Sequence, residues 1–504
     1  IALPAPAGTY QALSANAEGV FFVAAGAGPG QGAELRYLSL EPDAKPAAVA
    51  KIDGAYVLSR DGKKLLLRRG TDYAIVDAKP EAKFDEAKLA ALERMDLRIE
   101  PRKEWQQMYV DAWRIVRDWF YDPGMHGEDW PAIRAKYEAL LPHVATRADL
   151  DYLLHELAGE ANAGHVYVQA GDQTTVERRP GGMLGAELEQ TPDGPVRIVR
   201  IFPGENWEAR TRSPLTEPGV DVDEGDYILA IDNVPTRGVD NVYRLLEGKG
   251  NRVVSLRVND RPTDAGARDV LVTTVASELE LRYLDWVRSR RAMVDRLSNG
   301  RIGYIHVPNT AVEGSRELFR GMHAYAAKDA LIIDDRYNGG GFIPDRLIEL
   351  LSRQPLNYWK QRGLEPNATP FLSHAGPKAM LINGLASSGG DALPYYFSKL
   401  GLGKLIGTRT WGGLIGISGN PALVDNGIVL AATFSFMDTD NRWAVENVGV
   451  PPDIEVIDRP EQVAAGRDPS IERAVQELLA ELERSPPRPV VAPPAPTTFP
   501  NPAE

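Results

Sequence analysis

Short apolar runs bounded by polar turns open the chain. Tyr10-Gln11-Ala12-Leu13-Ser14, a turn reaching Gly19, and Val20-Phe21-Phe22 are matched by Tyr56-Val57-Leu58-Ser59, a turn with Gly62, and Leu65-Leu66-Leu67. Each copy reads as strand, turn, strand. From Glu104 the period turns helical: Trp105, Met108, Ala112, Trp113, Val116, Trp119 and Phe120 share one face, and Asp122-Pro123-Gly124 ends it. Two further helices are predicted, over 130–141 with Pro131 in the first turn, and over 148–157, opened by Thr146. His165 then falls where helix gives way to the strand of Val166-Tyr167-Val168. Residues 181–275 read as a separate β-rich module: a strand at 196–202, a hairpin at 225–235 turning at Asp232-Asn233, a helix at 239–246 and a strand at 253–258. After a charged helical connector at 276–298, buried-strand runs at 303–307, 330–334, 379–383 and 405–407 alternate with helices at 312–328, 343–352 and 392–400. Asp468-Pro469 opens a last amphipathic helix at 470–482. Such alternation predicts an α/β layer whose functional residues gather at strand ends.

Composition narrows the class. The 504 residues are enough for about three domains. A hydrophobic content of 43% with 25% charged residues is that of a globular chain, and no run reaches the ~20 apolar residues of a membrane span. The net charge of -13 argues against nucleic acid or an anionic membrane as partner. With no cysteine, disulfides, thiolate catalysis and Cys-based metal sites are excluded. Ser14 and Ser59 lie about 45 residues apart, the period of a four-stranded propeller blade. Fewer than two blades fit before Lys79, so the rest of a propeller is expected upstream of residue 1. Residues 1–6 have no initiator Met, basic segment or long apolar run and read as a processed or trimmed start. The cytoplasm is the expected compartment, or the periplasm if a signal peptide has been removed. Residues 485–504 are Pro-rich and read as an extended tail.

Two stretches carry candidate chemistry. In NGLASSGGD, 383–391, an apolar strand runs into small residues and out into an apolar helix, the layout that presents a serine hydroxyl on a tight turn. Ser before Gly-Gly-Asp is also a good helix cap, and the stretch by itself leaves both readings open. In DDRYNGGGF, 334–342, a buried strand leads to three glycine N–H groups, and the Gly-Lys-Ser/Thr ending of a phosphate loop is lacking. Asp221, Asp223 and Asp226 have the glycine misplaced for a calcium loop and no twelfth-position Glu, and no His-Glu-x-x-His zinc pair exists. No cofactor is expected.

With these motifs, NGGGF at 338–342, NGLASSGGD, LGLGKLIGTRTWGG at 400–413 and VENVGVPPD at 445–453, the chain resembles the C-terminal part of the tricorn-type serine peptidases of family S41, over about 74–482. The 181–275 module resembles a PDZ domain. The resemblance implies a multidomain α+β chain: a partial β-propeller segment (1–80), a helical and mixed subdomain carrying the histidine (81–180), a PDZ-like domain (181–275), a ClpP/crotonase-like α/β catalytic domain (276–484) and the tail. It implies Ser388 as nucleophile, with Ser387 the adjacent rival, His165 as general base, Glu446 as the acid holding the imidazole, and Gly341 and Gly389 as oxyanion donors. Gly339 and Gly340 would contact substrate. The other histidines, His126, His143, His155, His306, His323 and His374, read as structural.

Three departures stand out. Gly164 occupies the place of a serine that bridges histidine and acid in the family, leaving that role to a water or another hydroxyl. Tyr358-Trp359 stands where the family has an acidic specificity residue, implying aromatic or apolar cleavage sites. The family's first propeller is missing. Peptide substrates and a homo-oligomer are implied, and the loop Gly182-Met183-Leu184-Gly185 with its strand edge would take a peptide by β-augmentation. The competing reading is a catalytically weak peptide-binding scaffold, or a PDZ-like insert that only gates or spaces its neighbour.

Overall fold

The computed structural model describes residues 9–24, 33–52, 55–80, 84, 98–171, 176–190 and 194–494. The trimmed start at 1–6 and residues 495–504 of the Pro-rich tail lie outside them. The chain forms two compact units, Ile1–Glu100 and Pro101–Glu504.

In the first unit β1 (Tyr10–Ala15), β2 (Gly19–Ala24), β3 (Glu34–Ser39) and β4 (Ala47–Lys51) make a four-stranded antiparallel meander. Strands β5 (Tyr56–Leu58), β6 (Lys64–Arg69) and β7 (Asp72–Asp77) make a three-stranded one. The repeat read from sequence is the β1–β2 and β5–β6 hairpin. Phe21, Leu35, Leu65 and Leu67 share one core, and the Tyr56 hydroxyl ties the two sheets by donating to Ala12 O and Phe21 O.

The second unit begins with α1 (Pro101–Trp119), α2 (Trp130–Glu138) and α3 (Arg147–Gly159), the last opened by a Thr146–Asp149 capping box, followed by β8 (Tyr167–Gln169). The β-rich module contains β9 (Ala186–Gln190), β10 (Val196–Ile201), β11 (Tyr227–Ile231), β12 (Val234–Pro235), β13 (Val253–Asn259) and β14 (Arg268–Thr273), in the order β14-β13-β11-β10-β9 with β12 paired to β11. Asp232 and Asn233 turn the β11–β12 hairpin at positive φ, as expected. The helix expected at 239–246 shrinks to a 3-10 turn, Val242–Leu246, because Asn241 caps it late and the Leu246 carbonyl accepts from Gly182 and Lys249 N–H. Asp221 and Asp226 both pair with Arg268.

The α/β layer follows: α4 (Leu279–Leu297), β15 (Ile302–His306), α5 (Val312–Ala324), β16 (Ala330–Asp334), α6 (Pro344–Ser352), β17 (Asn357–Trp359), β18 (Asn367–Thr369), β19 (Lys378–Ile382), α7 (Gly389–Lys399), β20 (Gly403–Gly407), β21 (Ile428–Leu430), β22 (Ile454–Glu455), α8 (Pro460–Ala464) and α9 (Pro469–Arg484). The main sheet, β15-β16-β19-β20-β22, is parallel throughout. Parallel strands covered on both faces read as near-continuous apolar runs, and β15, β16 and β19 are buried at every residue, with the polar His306, Asp334 and Lys378 at their ends. Successive side chains point to opposite faces. Leu331, Ile333, Met380 and Ile382 pack with Leu318 of α5, Leu347 of α6 and Phe397 of α7, while Ile332, Ala379 and Leu381 pack with Val294 of α4 and Ile471 and Leu478 of α9.

Beside the sheet, β21 pairs antiparallel with β8, and Ile415, Leu423 and Val429 complete the core of α1–α3. No described helix is long and apolar enough to cross a membrane.

Buried charge pins the C-terminal end of β16. Arg336 is almost fully enclosed and pairs with Asp334, Asp458 and Asp468, and Asp468 also caps α9 through Ile471 N–H. Removing one partner of a buried ion cluster leaves uncompensated charge, which costs about 3–5 kcal/mol. Asp468→Ala is therefore expected to lower the stability of unit two by about that amount. A shift of its urea midpoint is the measurement, and an unchanged midpoint would contradict the assignment.

Candidate active site

The loops after β16 and β19 meet side by side at the C-terminal edge of the sheet. Asp335 N–H donates to Leu381 O, Ser387 N–H to Asn338 O at 3.0 Å, and the Asn383 side chain accepts from both Tyr337 and Leu385 N–H. Glycine is obligatory where they touch: a β-carbon on Gly340 would lie 2.7 Å from Ser388 Cβ, and Gly341 has φ +142°.

Ser388 occupies the helix-cap position of α7 with φ 59°, left-handed geometry rare outside glycine. Ser388 Oγ lies 3.0 Å from His165 Nε2. Asp391 does the capping in reverse, its buried carboxylate accepting from Ser388 N–H at 2.8 Å and also from Thr410 Oγ and the Gly412 and Gly413 N–H groups. Burial, the largest influence, raises the Asp391 carboxyl above its ordinary range, and these donors pull it back.

The N–H groups around the serine are consumed one by one. Gly339 donates to Pro308 O, Gly340 to Asn338 Oδ1, Ser388 to Asp391 and Gly390 to Ser387 O. Gly341 and Gly389 donate to no described group. They lie together, since a β-carbon on Gly389 would be 2.9 Å from Gly341 N.

His165 also has positive φ, 30°, and its ring contacts Tyr167 and Trp411. Direct holding of the imidazole by Glu446 is not what the structure contains. Glu446 Oε1 accepts from Gly164 N–H at 2.6 Å and Oε2 from Leu414 and Ile415 N–H at 2.7 and 3.0 Å, while His165 Nδ1 is buried without a partner. Three backbone donors hold the carboxylate, one on Oε1 and two on Oε2, and fix it against the Gly164 backbone. A β-carbon on Gly164 would sit 3.0 Å from Glu446 Oε1, so acid and histidine backbone are in close contact. The coupling that remains is through space. Burial, the larger influence, depresses the His165 pKa and the Glu446 charge raises it.

Other expected residues lie elsewhere. Tyr358 and Trp359 are on the exposed β17–β18 hairpin, where the Trp359 indole donates to Thr369, and no bond or ring contact links them to Ser388 or His165. Trp411, whose ring contacts His165, is exposed, as are Phe342 and Leu385 in the loops that carry Gly341 and Ser388. The 182–185 loop is largely closed as a peptide nest: Gly182 donates to Leu246 O, Met183 to Val275 O, Gly185 to the Glu278 carboxylate, and Leu184 is buried. Although β9 is a sheet edge, Arg282 of α4 reaches its Ala186 O. His306 is structural, bridging the Tyr283 hydroxyl and Arg336 O. The large cleft of about 1370 Å³ between α4, α5 and residues 205–211 is lined by neither Ser388 nor His165. Sequence reasoning assigned no role to Thr410, Asn338 or Asn383; polar residues inside a glycine-rich motif were the only signal.

Residues 101–159 match the Tricorn protease C1 domain, 182–277 the Tricorn protease PDZ domain and 301–456 Peptidase family S41. The chain belongs to the tricorn-type S41 peptidases. It is 36% identical over 437 residues to Tricorn protease homolog 1 of Streptomyces coelicolor, covering 86% of this chain and 41% of that protein. With the Tricorn protease of Thermoplasma volcanium it shares 32% identity over 444 residues, 88% of this chain and 42% of the other. The crystal structure of the tricorn protease superposes with a TM-score of 0.85 at 28% identity, over 94% of this chain and 47% of that one. The chain thus spans about two-fifths of the length of these tricorn relatives.

In this tricorn-type site the two influences on His165 can be separated. An NMR titration is expected to give a His165 midpoint below its ordinary 6.5, and Glu446→Gln, which deletes the charge that raises it, is expected to move it lower still. A midpoint above 6.5, or an upward move in the variant, would contradict this electrostatic picture.

Proposed function

We propose that this chain is a serine peptidase module that hydrolyses peptide bonds of oligopeptides or unfolded proteins through an acyl-enzyme on Ser388. The observation that carries the reading is the 3.0 Å contact between Ser388 Oγ and His165 Nε2 beside two N–H groups without acceptors. With the imidazole proton on Nδ1, Nε2 accepts the Ser388 proton as Oγ adds to the scissile carbonyl. Gly341 and Gly389 N–H stabilise the resulting oxyanion. The imidazolium then protonates the leaving amine, and a water repeats the sequence to release the acid. Glu446 contributes by its field, favouring the charged imidazole across the Gly164 backbone, and a water or hydroxyl that reached Nδ1 would strengthen that link.

Substrate preference is proposed to be apolar or aromatic, supported by Trp411, whose ring contacts His165, and by the exposed Phe342 and Leu385 in the loops that carry Gly341 and Ser388. The fine architecture is read by the same resemblance: a blade-like first unit belonging to a propeller, a ClpP-like catalytic layer, homo-oligomeric assembly and a cytoplasmic setting.

Ser388→Ala is expected to abolish cleavage of a mixed peptide library while leaving the melting temperature near wild type; unchanged cleavage would sink the reading and favour a binding scaffold. Because the neutral imidazole is the base, kcat/KM should fall only as pH drops through the depressed His165 pKa. The acid limb is thus expected below pH 6.5, with products ending mainly in apolar residues rather than Lys or Arg.

A further inference from the structure

Thr310 is fully buried, yet its hydroxyl has no hydrogen-bond partner among the described residues. Its backbone does not require a threonine: its N–H donates to Gly340 O and its carbonyl accepts from Ile343 N–H, bonds any residue with an N–H could make. What distinguishes the position is the neighbour of the hydroxyl. A β-carbon on Gly389 would fall 1.8 Å from Thr310 Oγ and 2.9 Å from Gly341 N. The hydroxyl therefore packs on the Cα of Gly389, whose N–H, like that of Gly341, donates to no described group.

An enclosed hydroxyl without a partner destabilises the fold, and valine of nearly the same shape would remove that penalty. A hydroxyl already bonded to a resting acceptor would have to surrender that bond to respond to a new charge, whereas this one is free to turn. We propose that the Thr310 hydroxyl is a third dipole of the oxyanion pocket, turning its O–H toward the negative charge that develops between Gly341 and Gly389 as Ser388 adds to the carbonyl. It keeps its proton throughout and forms no covalent bond. It acts through its packing against Gly389, so it is a positioning residue that adds to the field at the oxygen and fixes the surface on which Gly389 rests. The inference rests on the serine-peptidase reading of the site.

The test is steady-state kinetics on a peptide substrate with the full chain, comparing wild type, Thr310→Val, Thr310→Ser and Ser388→Ala, with melting temperatures for each. Removing a dipole that responds only to the charge of the oxyanion lowers turnover rather than substrate binding, so Thr310→Val is expected to reduce kcat ~10-fold or more with KM within about twofold of wild type. Its melting temperature should stay level or rise, and Thr310→Ser, which keeps the hydroxyl, should recover most of the kcat. A Thr310→Val enzyme with kcat within about twofold of wild type overturns the inference. So does a kcat loss that follows a lowered melting temperature and is not recovered by serine, which would mark a packing role. If Ser388→Ala is inert while Thr310→Val is normal, this inference alone has failed; if Ser388→Ala still cleaves, the peptidase reading has failed and carries this one with it.

Discussion

The parallel pairing of β16 with β19 is the constraint on which the site depends. Their register, Asp334 opposite Leu381, brings both strands to an end at the same level, so the loops that follow leave the sheet side by side. From there the backbone does most of the work. Asp335 N–H continues the ladder to Leu381 O, Asn338 O receives Ser387 N–H, and Asn383 receives two N–H groups of its surroundings. Each polar backbone group so engaged is one that need not find water, which is why irregular loops can sit this deep in the protein. Glycine is needed because the loops approach to distances no β-carbon tolerates.

Strain collects around the same junction. Ser388, His165 and Tyr337 have positive φ, as do Val445 and Asn447 on either side of Glu446. A β-branched residue such as Val445 adopts that conformation only where its surroundings over-determine it. Here they do: Asp391 ties Ser388 to Gly412 and Gly413, and Glu446 ties Gly164 to Leu414 and Ile415. The two carboxylates thereby hold the segment at 412–415 between nucleophile and histidine. Behind them, Asp335 is fully enclosed, and burial pushes its carboxyl well above the usual range. The Arg336 cluster neutralises the neighbouring Asp334 and anchors the root of the loop to α9.

The histidine arrives from another direction. Its subdomain is helical up to Gly159, and the chain then crosses to the catalytic layer because β8 finds its partner in β21, more than two hundred residues later. Residues 415–432 supply apolar side chains that α1–α3 lack, so the subdomain core closes only in the presence of the catalytic layer. Glu446, held by three backbone donors, then influences the imidazole as a nearby charge and not as a hydrogen-bond partner. That arrangement trades directionality for a rigid backbone, while burial, the larger influence, depresses the His165 pKa against the Glu446 charge.

Much of this was readable along the chain. Apolar runs at period two and period 3.6 located β15, β16, β19, β20 and helices α4–α7 and α9 to within a few residues, because burial on both faces of a parallel sheet and on one face of a helix leaves a local signature, whereas the short β17, β18, β21, β22 and α8 left none. The glycine-rich motifs identified the loops where Ser388, Gly341 and Gly389 would meet, since only glycine permits the backbone such turns. What local pattern cannot carry is which donor meets which acceptor across long separations. The occupied N–H groups of the 182–185 loop, the remote Tyr358-Trp359 hairpin, the capture of Glu446 by three backbone groups and the orphaned hydroxyl of Thr310 were all decided by tertiary packing. Sequence by itself determined the element order and the chemical types available; the tertiary structure alone decided which polar groups are left without partners. That allotment depends on distances of about 3 Å between segments hundreds of residues apart, to which neither periodicity nor composition responds.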